Sequence, residues 1–298
     1  MTKLSSKINP KIDQGGVDST AIGSKFPSWL RNLLIIMLLA VILYPLFWMI
    51  LTSFKPTQEI IESSSPWPKD WTFENFTSGW TFAGIGSFGT FFTNSLIVAL
   101  LCVIGNVVTC TLAAYAFAKL SFRGSVALFA LVVGILFLPK EVLLIPQYTI
   151  FSSLGWTNTF IPLVIPHFLA LDSFFVFLSV QFLRGLPKEL DEAAELDGCG
   201  PFRRLWHITI PLISPAIATT AIFTFIWTWN DFMSQLIYLN TPDKFTVSVA
   251  LRFFLDASSD SDLGAMSAMS LISLLPLFVL FAIFQKRLVR GAAMSGLK

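Results

Sequence analysis

Apolar residues in this chain fall into long uninterrupted runs, separated by short polar stretches. They do not alternate as they do on the half-buried helices and strands of a water-soluble domain. Stretches without a charged residue extend from Asn32 to Phe54, Asn75 to Ala118, Gly124 to Pro139, Val142 to Leu171, Leu205 to Asn230 and Leu263 to Gln285. About 20 mostly apolar residues suffice for a helix to cross a bilayer. Five of these stretches are long enough as they stand. The third must run past Lys140 or kink at Pro139. In the second, the Gly-, Ser- and Thr-rich residues 75–90 read as loop, so its helix begins near Phe91. The pattern predicts an all-α polytopic membrane protein with six transmembrane helices, at about 30–52, 91–118, 124–146, 160–183, 208–231 and 264–285. Residues 1–28 read as a flexible tail, 29–290 as the six-span domain with a polar loop at 187–207, and 291–298 as a C-terminal tail.

Composition agrees: 54% of the 298 residues are hydrophobic and 13% charged. Soluble domains carry about 25% charged residues, so a water-facing surface of this size could not be covered. With the N-terminus placed in the cytoplasm, fifteen Lys and Arg residues fall on inner segments and five on outer ones. The positive-inside rule therefore puts both termini and the 187–207 loop on the cytoplasmic side of the membrane. The net charge of +2 is a by-product of this topology and gives no reason to expect a nucleic acid partner. The first apolar run is too long for a signal-peptide core and lacks a small-residue cleavage site. Cys102 and Cys110 lie inside a span and Cys199 in the loop, so no disulfide framework is expected.

The string PKELDEAAELDGCGPFRRLWHITIP, from Pro187 to Pro211, carries the most information. Pro187 suits a first helical turn, and Glu189, Asp191 and Glu192 complement the helix dipole there. Ala193 and Ala194 permit close approach. Gly198 suits a left-handed helix end, Pro201 opens a second helix and Pro211 marks a bend. Four acids beside an anionic leaflet argue against a helix that merely lies on lipid. Glu192-Ala193-Ala194, then Gly198, then Ile208-Thr209-Ile210-Pro211 resemble the EAA motif of permease subunits of binding-protein-dependent ABC importers, with Ile210 where the motif has leucine.

Further strings extend the resemblance to the carbohydrate-uptake group, in particular the smaller maltose-type permease. They are Asn94-Ser95-Leu96, Ala114 to Ala118, Pro146-Gln147-Tyr148, Leu154 to Thr159, Trp229-Asn230-Asp231-Phe232 and the tail from Gly291 to Lys298. The resemblance implies a heteromeric importer containing a second permease subunit, two cytoplasmic ABC ATPase subunits and an extracytoplasmic solute-binding protein. It also implies that Glu192, Ala193, Ala194, Asp197, Gly198 and Pro211 couple to the ATPase, and that Gly291, Gly296 and Lys298 reach it from the tail. No G-x-x-x-x-G-K-[ST] phosphate loop occurs in the chain. It is therefore expected to be no enzyme and to bind no cofactor, ATP and Mg being held by the partner subunits.

Asp172 falls near the middle of the fourth predicted span. A carboxylate there faces a cavity or a partner, which makes it the candidate for the solute pathway, against a purely structural hydrogen bond to a neighbouring helix. Asp231 reads as an interfacial anchor. His167 reads as a helix-to-helix hydrogen bond and His207 as part of the loop, with no metal-ligand pattern around either. An ion-coupled secondary transporter using Asp172 is the alternative. It would commonly show internal repeats, and none is evident. An intramembrane enzyme would need a paired nucleophile and base, and none is visible. No Lys or Arg lies deep in a predicted span, so a neutral sugar is preferred as the solute.

Overall fold

A computed structural model describes residues 27–63, 65–81, 86–256 and 262–295, with side chains from 286 onwards left aside. The expected tail over residues 1–28 lies almost entirely outside these residues, as do Gly296 and Lys298 of the expected C-terminal contact. The chain divides into two units, up to Phe47 and from Trp48 onwards. The helix α1, Ser28–Ser53, begins in the first unit. Its residues Leu33 to Leu39 are all exposed and apolar, and Pro45 interrupts its hydrogen-bond ladder once.

The second unit is built around one long helix. After α2 (Thr57–Glu62) and α3 (Glu74–Trp80), α4 runs from Phe88 to Lys119 and packs chiefly along the fourth and fifth spans. It starts at Ser87, whose hydroxyl accepts the Gly89 N–H. Gly105 on α4 allows a close crossing, because a Cβ there would lie 2.5 Å from the Phe168 ring. Next come α5 (Ser125–Ile135), α6 (Lys140–Ser153), α7 (Ile161–Phe168) and α8 (Ser173–Arg184). The polar loop holds α9 (Glu189–Leu196) and α10 (Pro201–Arg204), then a π-helical turn at Leu205–Thr209 and α11 (Ile210–Leu212). The chain continues with α12 (Ser214–Asn230), α13 (Met233–Tyr238), α14 (Val247–Asp256), α15 (Leu263–Ser273) and α16 (Leu275–Ser295).

Four described helices are long and apolar enough to cross a membrane, at 29–53, 88–119, 161–184 and 263–285. With each of two bent pairs counted as one span the number is six. Three spans are broken where proline interrupts the ladder; a kink at Pro139 and a bend at Pro211 were among the expectations, and the break in the fourth span was not. The third span, expected over 124–146, is α5 and α6 meeting at 107° across residues 136–139, and α6 continues to Ser153. In the fourth, expected over 160–183, Pro166 has no N–H to give the Pro162 carbonyl and the helix breaks over 169–172. The fifth, expected over 208–231, starts at Pro201 and turns by 75° before α12. Pro211 has no N–H for the His207 carbonyl, nor Pro215 for that of Pro211, and the Ile210 N–H bonds five residues back to Leu205. The helix ending the sixth span runs to Ser295, so residues 291–295 are helical rather than a separate tail.

Two apolar clusters lie along α4. One joins Phe88, Phe91 and Val98 to Phe225, Trp229, Phe254 and Met269. The other joins Cys110, Ala114 and Tyr115 to Phe175, Val180, Leu183, Leu205 and Ile213. Buried polar side chains act as local fasteners between helices. The Asn106 amide donates to the Thr224 hydroxyl at 2.8 Å. The Asn94 amide donates to the Asp243 and Phe245 carbonyls at 2.9 Å each. Such contacts contribute about 0.6 kcal/mol on average between membrane helices, so they specify register more than they add stability.

Candidate functional site

The broken helices converge on one cavity of about 310 Å³. Its walls come from the 136–139 break, α6, the 169–172 break, α12 and α13. Non-helical backbone at membrane depth is tolerated where it lines a cavity, and Leu136, Leu138, Leu171 and Asp172 of the two breaks line this one. Ala170 takes a left-handed conformation, φ 53°, in the middle of the second break. That is uncommon for a residue with a Cβ, and such strain gathers at functional sites. The Thr109 hydroxyl of α4 reaches across to the His167 carbonyl at 2.9 Å, next to the break.

Asp172 therefore does not stand mid-helix as the sequence pattern implies. It sits at the N-cap of α8, but its side chain makes no capping bond. Its Oδ2 lies 2.5 Å from Nδ1 of His167, so its partner belongs to the same span and not to a neighbouring one. Both residues line the cavity. Asp231, expected at an interface, lines the same cavity and pairs with Lys140 at 3.0 Å. Its other oxygen accepts the Ser234 N–H, which starts α13. Sequence reasoning missed Lys140, His167 and Asp231 as lining residues. The signal available was their position beside Pro139, Pro166 and the end of a span, where helices break.

The second functional feature is the polar loop. Helix α9 begins at Glu189, two residues after Pro187. It is held by two ion pairs and one buried residue. Asp191 pairs with Lys119 of α4 at 2.6 Å, Glu195 pairs with Arg204 of α10, and Ala194 is 4% exposed. The structure thus separates the two alanines, Ala194 facing the chain and Ala193 facing away. Glu189, Glu192, Ala193 and Asp197 are all exposed, and Leu196 is 90% exposed. Gly198 turns the chain with φ 71°, and the Cys199 N–H returns to the Ala194 carbonyl at 2.9 Å. That glycine-dependent end closes α9. Beyond it the Tyr115 hydroxyl of α4 donates to the Pro201 carbonyl at 3.0 Å. Phe202 is 76% exposed on the same loop. The arrangement is a short helix clamped to the end of α4, presenting acid and apolar side chains outward with no described group of this chain covering them. His207 bonds only locally, to the Arg203 carbonyl. Among the described residues no cluster of His, Cys, Asp and Glu could hold a metal ion.

Residues 107–293 match the family model of the binding-protein-dependent transport system inner membrane component. Over 261 residues the chain is 37% identical to a probable ABC transporter permease protein of Bacillus subtilis, covering 87% of this chain and 85% of that one. It is 32% identical over 271 residues to a trehalose/maltose transport system permease protein of Thermococcus litoralis, covering 90% and 97%. The fold is similar to a chain in the crystal structure of a bacterial ABC transporter involved in import of the acidic polysaccharide alginate. That match has a TM-score of 0.77 at 20% identity and covers 90% of this chain and 97% of the other. The family's range contains the π-turn, both sides of the cavity and the clamped loop, and the chain belongs to the inner membrane components of binding-protein-dependent transport systems, the permease subunits of ABC importers.

Proposed function

We propose that this chain is one of two permease subunits of an ATP-driven importer that moves a sugar delivered by an extracytoplasmic binding protein. The observation that carries the reading is the clamped α9. Two ion pairs and the burial of Ala194 fix the helix, and Glu192 with Ala193 and Leu196 is left exposed for a partner. The partner is a cytoplasmic ABC ATPase, one of two, holding the ATP and Mg that drive the cycle. Glu192 takes a basic residue of its cleft, Asp197 and Gly198 shape the turn, and Pro211 sets the bend into the membrane. The loop and both termini face the cytoplasm, in keeping with the excess of Lys and Arg on those segments. The C-terminal segment from Gly291 through Gly296 to Lys298, which continues α16 as far as Ser295, reaches the ATPase pair. Asp172 belongs to the solute pathway. Family membership weighs against the ion-coupled secondary transporter, in which Asp172 would hold the coupling ion.

The test is Glu192→Ala in the complete complex. A hydrogen bond to a charged group is worth about 1.5–3 kcal/mol. Its loss should abolish uptake and solute-stimulated ATP hydrolysis while the spans still insert. Normal uptake together with normal stimulation would sink the docking role.

A further inference from the structure

The 310 Å³ cavity adjoins a second, of about 280 Å³, and Lys140, Trp227, Asp231 and Ser234 stand in the walls of both. Two tryptophans of α12 behave differently. Trp229 is 3% exposed and donates its indole N–H to the Ser273 carbonyl, so it is a packing residue. Trp227 is 49% exposed. Its ring is braced by Phe175 at 5.1 Å, Phe174 at 5.7 Å and Phe223 at 5.9 Å. A ring held on one side and open on the other is a platform.

The charged groups of the larger cavity are matched, and the smaller cavity adds the acid Glu141. Asp172 has His167 and Asp231 has Lys140, and these four are the only acids and bases among the described residues lining the larger cavity. An ionised carboxylate offers about four acceptor positions, and each acid here uses some of them within the chain, leaving others for hydroxyl donors. An aromatic face beside acceptors of this kind suits a pyranose, which has apolar C–H faces and a rim of hydroxyls. A uronate would meet two carboxylates whose cations are already engaged. Each cavity lies at or just below the low end of the range for small-ligand sites, about 300–1,000 Å³, which favours single rings entering in sequence.

We infer that the two adjoining cavities form a saccharide subsite belonging to this chain, in which Trp227 takes the apolar face of a neutral sugar ring and Asp172 and Asp231 accept its hydroxyl hydrogen bonds. The inference rests on the importer reading above and adds the residues that would hold the solute in this chain.

The test uses the complete complex in proteoliposomes, with radiolabelled maltose, trehalose, cellobiose and digalacturonate as probes. The wild-type complex imports at least one of the neutral disaccharides in preference to digalacturonate. Trp227→Phe keeps uptake within about twofold and Trp227→Leu lowers it about tenfold at sub-saturating solute, the loss expected for one aromatic contact. Leucine preserves apolar packing, so a merely structural role would not separate the two variants. The binding protein is the same in every assay, and a difference between variants reports on this chain alone. Equal uptake by the two variants, at whatever level, overturns the subsite. Preferred import of digalacturonate overturns the neutral occupant. Import of none of the four by the wild-type complex overturns a neutral glucose disaccharide as the occupant, while the importer reading stands or falls by the Glu192→Ala test.

Discussion

At Asp172 a single carboxylate is held 2.5 Å from a histidine, at the end of a broken helix and in the wall of a cavity. If it serves the pathway, Asp172→Asn, which keeps shape and hydrogen bonding, should lose less uptake than Asp172→Leu, with assembly retained in both. Failed assembly of the Leu variant before any specific transport defect would make the role structural. The thiol of Asp172→Cys, in a background without the three native cysteines, should react with a small membrane-permeant reagent. A thiol unreactive throughout the ATP cycle would remove the residue from the pathway. Gly198 is the other position where one residue decides a local structure. Its φ of 71° costs a residue with a Cβ about 1–2 kcal/mol. Gly198→Val should therefore loosen α9 and weaken ATPase attachment, as measured by co-purification, while Gly198→Asn should be milder because asparagine tolerates the left-handed region.

Between elements, α4 is the shared support. One end holds the clamped loop through Lys119 and Tyr115, and farther along it Thr109 and Gly105 hold the break beside Asp172. A helix rises 1.5 Å per residue, so the ten residues from Thr109 to Lys119 separate loop and break by about 15 Å. A movement of α9 imposed by a partner would reach the cavity through this stiff rod. Lys119→Asp should uncouple ATP hydrolysis from uptake. The double variant Lys119→Asp with Asp191→Lys should recover uptake, since the swap restores an ion pair. Failure of the swap to recover any uptake would remove this contact from the coupling route.

For the whole molecule, the test lies at its C-terminal end. Helix α16 runs to Ser295 without a break, so the last residues leave the membrane domain in a fixed direction over at least that length. Cysteines at Ser295 and on the ATPase pair should cross-link in the assembled complex. Unchanged uptake after removal of residues 291–298, with no cross-link formed, would reduce the segment to a simple end of the chain. Asp191 and Ala194 show how legible the loop was. The spacing of Glu192, Gly198 and Pro211 reveals that the segment is a helix and a turn, because capping and proline chemistry are local. Which alanine turns inward depends on where Lys119 and Arg204 stand, and these come from other elements.

The same division runs through the chain. Apolar runs of spanning length, the Lys and Arg asymmetry and the order of motifs were readable in one dimension, since hydrocarbon thickness and helix geometry act on contiguous residues. The family followed from those local patterns. The prolines announced that helices would be interrupted, but not by how much. The 107° and 75° turns appear only in three dimensions. Tertiary structure alone brought Lys140 to Asp231, 91 residues apart, and set both against the same cavity as His167 and Asp172. A cavity has no sequence signature of its own, because its walls come from segments whose separation along the chain says nothing about their distance in space.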